Sequence, residues 1–201
     1  MSGKRALDLG LAGAGLIASA PLWAIIAAAI KLEDGGPIFY SQSRVGAGGR
    51  SFEALKFRSM VPNAEHGVGP VQATEQDPRV TRTGRVLRAT AMDELPQLWN
   101  IFRGDMSFVG PRALRPGEIE LEGGTPVPLE AVPGYAERLL VRPGLTGVAQ
   151  VYAARDISRR SKFRYDRLYI RRRSFALDVR LILLSFWISF RGTWESRDRK
   201  Y

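Results

Sequence analysis

The sequence predicts a mainly α-helical protein with a small β-hairpin. It is held on one face of a membrane by a re-entrant N-terminal helix and by interfacial amphipathic helices. Three observations carry this reading. Residues 9–30 hold no charge and are divided by Pro21. The formal net charge of +10 is concentrated at the other end, where residues 155–201 hold 14 Lys or Arg against 5 Asp or Glu. Between the two lie short runs broken by glycine and proline, too polar to span a bilayer. The 201 residues suffice for one domain with a core. The division expected is a membrane segment over 1–33 and a single domain over 34–201.

As a helix, the 22 residues from Leu9 to Ile30 extend about 33 Å, just enough to cross the hydrocarbon core. A signal peptide fits Lys4, Arg5 and the small residues Ala18 and Ala20, but apolar residues continue from Pro21 to Ile30 with no polar mature terminus after them. A kinked spanning helix and a re-entrant hairpin remain. Proline removes one backbone donor and crowds the carbonyl of Ile17. A lone helix has few neighbours to satisfy that carbonyl. Lys4 and Arg5 favour a cytoplasmic N-terminus, and the basic tail favours keeping the rest of the chain on the same side. Both ends on one side require entry and return, so the hairpin is favoured, with Pro21 as its helix break.

Downstream, Asp34-Gly35-Gly36-Pro37 reads as a turn, Ile38 to Gln42 as a strand, 45–50 as a glycine-rich tip and 51–57 as the returning strand. Residues 63–79 read as a polar surface loop. Gln97 to Arg103 reads as a helix stopped by Gly104, with Pro96 in its first turn, Asp93 as N-cap and Glu94 first inside. Residues 104–115 read as a loop. Residues 117–132 are acidic and proline-broken, which predicts a short helix and a surface loop. Arg142-Pro143-Gly144 reads as a tight turn. From Ser161 the chain reads as helical with a break near Ser174. Its mixture of Arg, Tyr, Phe and Trp suits both core packing and a headgroup region.

The absence of cysteine excludes disulfides and thiolate metal sites. One histidine, His66, cannot build an imidazole site, and its Gly/Pro-flanked polar context reads as a solvated loop. Any metal therefore needs oxygen ligands. Asp93 and Glu94 are adjacent acids at an inferred helix start. Capping and a favourable dipole account for both. A second reading is that a helix start attracts phosphate and keeps a carboxylate ionised, so that Asp93 could act as a nucleophile beside a metal-bound diphosphate. Lys56, Arg58, Arg88, Arg112 and Arg142 lie in glycine- and proline-marked segments. Singly each suits solvent, and together they suit two phosphates.

These residues sit in longer motifs: Gly36-Pro37-Ile38-Phe39-Tyr40, Lys56-Phe57-Arg58-Ser59-Met60, Asp77-Pro78-Arg79 and Asp93-Glu94-Leu95-Pro96-Gln97-Leu98-Trp99-Asn100. Gly104-Asp105-Met106-Ser107-Phe108-Val109-Gly110-Pro111-Arg112, Arg142-Pro143-Gly144-Leu145-Thr146-Gly147, and Lys162-Phe163 with Asp166 follow in order. Across nearly its whole length the chain resembles the small monotopic phosphoglycosyl transferases, the bacterial sugar transferase family. The resemblance implies a Mg2+-dependent ping-pong reaction between a UDP-sugar and a polyprenyl phosphate of the undecaprenyl type. It implies Asp93 as the nucleophile that becomes phosphoglycosylated with loss of UMP, and Glu94 as its helper at the metal or the acceptor. Lys56, Arg88, Arg112, Arg142 and Asp166 match the active-site surroundings.

It also implies that 34–201 is a catalytic domain on the cytoplasmic face of the bacterial inner membrane, in contact with membrane lipid. The role implied is the first membrane step of glycoconjugate or exopolysaccharide biosynthesis. An oligomer is compatible with the sequence. Two departures from the family pattern stand out: Ala20-Pro21 in place of Ser-Pro, with Ser19 one residue early, and Pro111-Arg112-Ala113 in place of Pro-Arg-Pro. A nucleic-acid binder would explain the basic tail but not the uncharged N-terminal run, so no nucleic-acid partner is expected. An inactive membrane-anchored scaffold would share the motifs and differ in releasing no UMP.

Overall fold

The computed structural model describes residues 2–64, 77–122, 125–154 and 157–194. His66 and most of the polar loop expected over 63–79 lie outside them.

The chain opens with α1 (Ser2–Asp34), a single helix of 33 residues that contains Pro21. The helix is continuous across Pro21, so the two separate halves expected from the sequence form one element. Ser19 does not answer the carbonyl freed at Ile17. Its hydroxyl donates to Gly15 O at 2.6 Å and accepts from the Trp23 indole at 3.0 Å. α1 is long and apolar enough to cross a bilayer by length and composition, and only 11% of its most apolar stretch is buried.

The hairpin follows as expected, with β1 (Phe39–Val45) antiparallel to β2 (Ser51–Phe57) and Tyr40 opposite Lys56. β1 runs three residues further than the sequence suggested. Its tip is a 3-10 turn in which Gly48 and Gly49 take positive φ. The hairpin leads to α2 (Arg82–Ala89), started by Thr81, whose side chain accepts from Gly84 N. Then comes a 3-10 turn at Met92–Glu94, and α3 (Gln97–Arg103) ends on Gly104 at φ 103°.

The N-terminal register of α3 differs from expectation. Pro96 is its N-cap, and Asp93 and Glu94 belong to the separate 3-10 turn before it. Ala91, at φ 57°, reverses the chain after α2 and shifts both acids out of the α3 ladder. The first bonds, Leu98 N to Leu95 O and Trp99 N to Pro96 O, are of the tighter i to i+3 kind.

The segment expected as a loop contains β3 (Ser107–Val109), which pairs in parallel with β6 (Gly144–Thr146). Arg142-Pro143-Gly144 is therefore no turn, because it runs extended into β6. Glycine is required at 144 for close approach, since a Cβ there would stand 2.0 Å from Gly110 N. The helix expected in 117–132 is instead a second hairpin, β4 (Ile119–Glu122) with β5 (Thr125–Pro128), followed by a 3-10 turn at Leu129–Ala131. Glu118-Ile119-Glu120-Leu121-Glu122 alternates with period two, and Pro126 and Pro128 exclude a helix after it. α4 (Tyr135–Arg138) precedes β6, and α5 (Val148–Tyr152) follows it.

The C-terminal pair is α6 (Arg159–Arg172) and α7 (Phe175–Phe190), separated where the sequence indicated. Ser174 caps α7 by accepting from Leu177 N at 3.2 Å. Two clusters hold these pieces together. Ala12, Ile101, Met106, Val109, Val151, Tyr169 and Leu181 join α1, α3, β3, α5, α6 and α7. Ile26, Ile30, Phe57 and Leu87 join the far part of α1 to β2 and α2, with Trp23 edge-on to Phe57 at 5.3 Å.

α1 is bonded to this body near both ends. Lys4 donates to Val109 O, Tyr169 Oη and Asp178 Oδ2, the last at 2.7 Å. Arg5 donates to the final carbonyls of α3, at Ile101 and Phe102. Asp8, almost fully buried, accepts from Ser107 and Phe108 N. At the other end Glu33 accepts from Arg82 N and Thr83 N, and Asp34 pairs with Arg58.

Candidate active site

The 3-10 turn after Ala91 points Asp93 and Glu94 into a cavity of about 810 Å³, and both residues are buried. The last residues of β2 reach the same place. Lys56 Nζ bonds Glu94 Oε1 and lies 3.5 Å from Asp93 Oδ2. From the loop after β3, Arg112 Nη2 donates to Glu94 Oε1 at 3.1 Å. Arg88, in the last turn of α2, lines the cavity beside them. Burial works against charge on Glu94, but the Lys56 ammonium and the Arg112 guanidinium outweigh it and hold the carboxyl well below its usual range. The same pairing with Glu94 raises the Arg112 guanidinium above its ordinary value.

α6 contributes further lining residues. Asp166 lies there, and its Oδ2 accepts from Arg138 Nε at 2.7 Å. Both side chains are buried, and burial raises the Asp166 carboxyl although Arg138 opposes the shift. Arg44 from β1 donates to Ala113 O at 3.0 Å and to the Gln42 side chain. Ala113, where the family pattern has proline, is thus restrained through its carbonyl. Burial, then the nearby Arg112 and Arg115, lower Arg44 to about 10.

Of the eight polar positions selected from the sequence, Lys56, Arg58, Arg88, Asp93, Glu94, Arg112 and Asp166 therefore line one cavity. Arg142 is not among the lining residues. Its side chain is exposed, and its guanidinium stands near Gly104, outside the cavity. Arg58 also lines the cavity, but its guanidinium is held by Asp34 at the end of α1 and by the main-chain oxygens of Pro37 and Met60.

Arg44, Arg138, Glu118 and Arg159 also line the cavity and were not singled out from the sequence. The sequence around Arg138, with Glu137 before it and Leu139, Leu140 and Val141 after it, carries no signal that would single it out.

Asp93 and Glu94 are adjacent hard oxygen donors, and among the described residues no cluster of three or more metal-ligating side chains occurs. Such a pair fits Mg2+, which is commonly held by one or two carboxylates with substrate phosphates and water completing the shell.

The arrangement is a cavity lined by several cations around two buried acids. A profile of the family described as "Bacterial sugar transferase" matches residues 1–192. The chain belongs to the bacterial sugar transferase family. The undecaprenyl-phosphate glucose phosphotransferase of Komagataeibacter xylinus is 41% identical over 189 residues, covering 90% of this chain and 35% of that protein. The exopolysaccharide production protein ExoY of Rhizobium meliloti is 36% identical over 193 residues, 89% of this chain and 81% of its own. The UDP-glucose:undecaprenyl-phosphate glucose-1-phosphate transferase of Caulobacter vibrioides is 42% identical over 185 residues, 90% of this chain and 67% of its own. The chain thus spans about a third of the Komagataeibacter relative and most of ExoY.

Proposed function

We propose that this member of the bacterial sugar transferase family moves a sugar-1-phosphate from a UDP-sugar to a polyprenyl phosphate of the undecaprenyl type. The carrying observation is the buried Asp93–Glu94 pair facing Lys56, Arg88 and Arg112 in one cavity. Such a cavity suits a substrate with two phosphates and a reaction at one of them. The printed names of the relatives support a nucleotide-sugar donor and a lipid phosphate acceptor.

In this reading an oxygen of the Asp93 carboxylate attacks the phosphorus that bears the sugar. The new bond is an acyl phosphate, and the anhydride bond to the second phosphorus breaks, so that UMP leaves with the electron pair. An oxygen of polyprenyl phosphate then attacks the same phosphorus. The Asp93 O–P bond breaks, the carboxylate is restored and polyprenyl-diphosphate-sugar departs. Asp93 and Glu94 would hold Mg2+ together with the substrate phosphates, and the ion supplies charge neutralisation for the diphosphate. Lys56 and Arg112 lie beside Glu94 where they can turn to the departing phosphate, and Arg88 adds a third cation.

Residence on the cytoplasmic face of the inner membrane is part of the proposal. It is supported by the apolar surface of α1 and by the bonding of Lys4, Asp8, Glu33 and Asp34 to one body.

The test is incubation of the purified protein with UDP-sugars and Mg2+, without acceptor, followed by mass spectrometry. A phosphosugar mass should appear on the peptide containing Asp93, with release of UMP, and vanish when polyprenyl phosphate is added. Asp93→Asn should abolish both signals, and excess chelator should stop turnover until Mg2+ is restored. An adduct elsewhere, or UMP release only with both substrates present, refutes the covalent role of Asp93.

A further inference from the structure

We infer that Arg138 is a positioning residue that fixes Arg112 against Glu94 and so keeps the phosphate end of the cavity assembled. The inference rests on the proposed function for what Arg112 does, and on geometry for how Arg138 acts.

Arg138 closes the four-residue helix α4, and its guanidinium is used on two sides. Nε donates to Asp166 Oδ2 at 2.7 Å, and Nη2 donates to the main-chain oxygen of Arg112 at 2.6 Å. Its central carbon lies 4.4 Å from the Phe163 ring centroid, so α6 supplies both the ion pair and the stacking face. The Arg138 side chain is only 6% exposed and that of Asp166 4%. With one arm on the Asp166 carboxylate and another on a carbonyl, Arg138 is placed to hold protein groups in position.

The residue it holds matters because the main chain on either side of Arg112 is bonded elsewhere, at Gly110 and Pro111 to β6 and at Leu114 to Val45 N, whereas Arg138 takes the carbonyl of Arg112 itself. Ala113 is tethered by Arg44. The Arg112 side chain is 44% exposed, yet its Nη2 must stay 3.1 Å from Glu94. A planar fork anchored on rigid α6 sets where that side chain begins. Lysine at 138 keeps the charge for Asp166 but is a point donor and loses the paired geometry.

The experiment combines hydrogen–deuterium exchange with a double-variant cycle on the intact protein in lipid nanodiscs. Arg138→Lys should speed amide exchange across residues 109–115 and leave α1 and α3 unchanged. It should lower the rate of UMP release by about ten- to a hundredfold, the usual cost of a small misplacement of a reacting group. In an Arg112→Lys background the same change should cost less than about twofold, because residues acting through one another are not additive. If lysine impairs folding, Arg138→Gln with Asp166→Asn, a neutral hydrogen-bonding pair, takes its place with the same expected pattern. Unchanged protection of 109–115, or an equal loss of rate in both backgrounds, overturns the inference. Should the wild-type protein release no UMP from any UDP-sugar, the proposed function fails, and the exchange result alone decides the role of Arg138.

Discussion

Burial raises the cost of ionising Glu94, and two cations within reach of one of its oxygens reverse the outcome. The sign of the pH dependence follows. A carboxyl held below its ordinary value of 4.5 adds stability that is fully present above that pH. That stability is lost as the pH falls through the lowered value. Thermal melts should therefore show the wild-type protein losing stability below about pH 4.5, and Glu94→Gln losing less over the same interval. At pH 7 the glutamine variant should be weaker by about 2 kcal/mol, since it trades charge-assisted bonds for neutral ones. Its turnover should fall by about a hundredfold or more if Glu94 assists proton transfer or metal binding. A variant as acid-sensitive as the wild type would separate the low-pH loss from this residue.

Among the elements, α3 shows how one motif serves two ends. Asn100 is fully buried, and its side chain docks on the free edge of β2. Its Oδ1 accepts from Leu55 N at 3.0 Å and its Nδ2 donates to Glu53 O at 2.7 Å, as a neighbouring strand would. This sets the distance between β2, which carries Lys56, and the turn that carries Asp93 and Glu94. Asn100→Asp keeps the shape but turns a donor into an acceptor facing Glu53 O and Asp105. It should cost about 2–4 kcal/mol, from two bonds lost in a buried place. Denaturant unfolding in detergent measures this, and a change below about 0.5 kcal/mol, typical of an unconstrained surface site, would deny Asn100 the role.

For the whole molecule, the decisive arrangement is that α1 is bonded near both ends to the same body. A helix of 33 residues is about 50 Å long, more than the hydrocarbon core requires. Yet Lys4 reaches Asp178 on α7, and Asp34 reaches Arg58 beyond β2. A globular body on one side of a bilayer can hold both ends only if both lie on that side. With no native cysteine, single cysteines at Gly3, where a side chain meets open space, and at exposed Leu32 report this directly. Both should resist an impermeant thiol reagent applied outside intact cells and react after permeabilisation. Labelling of Gly3→Cys alone from outside would establish a spanning helix.

The apolar N-terminal run, the first hairpin, α3 with its Gly104 stop and the break at Ser174 were legible in the sequence because each depends on local chemistry. A glycine that accepts positive φ, a serine at a helix start and an uninterrupted uncharged stretch all act within a few residues. Residue types suggested that Lys56, Arg88 and Arg112 could join Asp93 and Glu94 around phosphates, and the motif resemblance assigned them to one site, but no local rule brings 56 and 112 together across the chain. Other features were decided by tertiary structure alone. Lys4 and Arg5 read as topology signals, but they also bond α7 and the end of α3, which no local rule indicates. The parallel pairing of β3 with β6 turned an expected tight turn at Pro143 into an extended approach. Arg138 gained its place from α6, and Arg142 stayed outside the cavity, although as arginines near glycine and proline the two look alike. Local sequence fixes what conformations a segment can adopt, whereas the partner of a long charged side chain depends on which elements pack beside it.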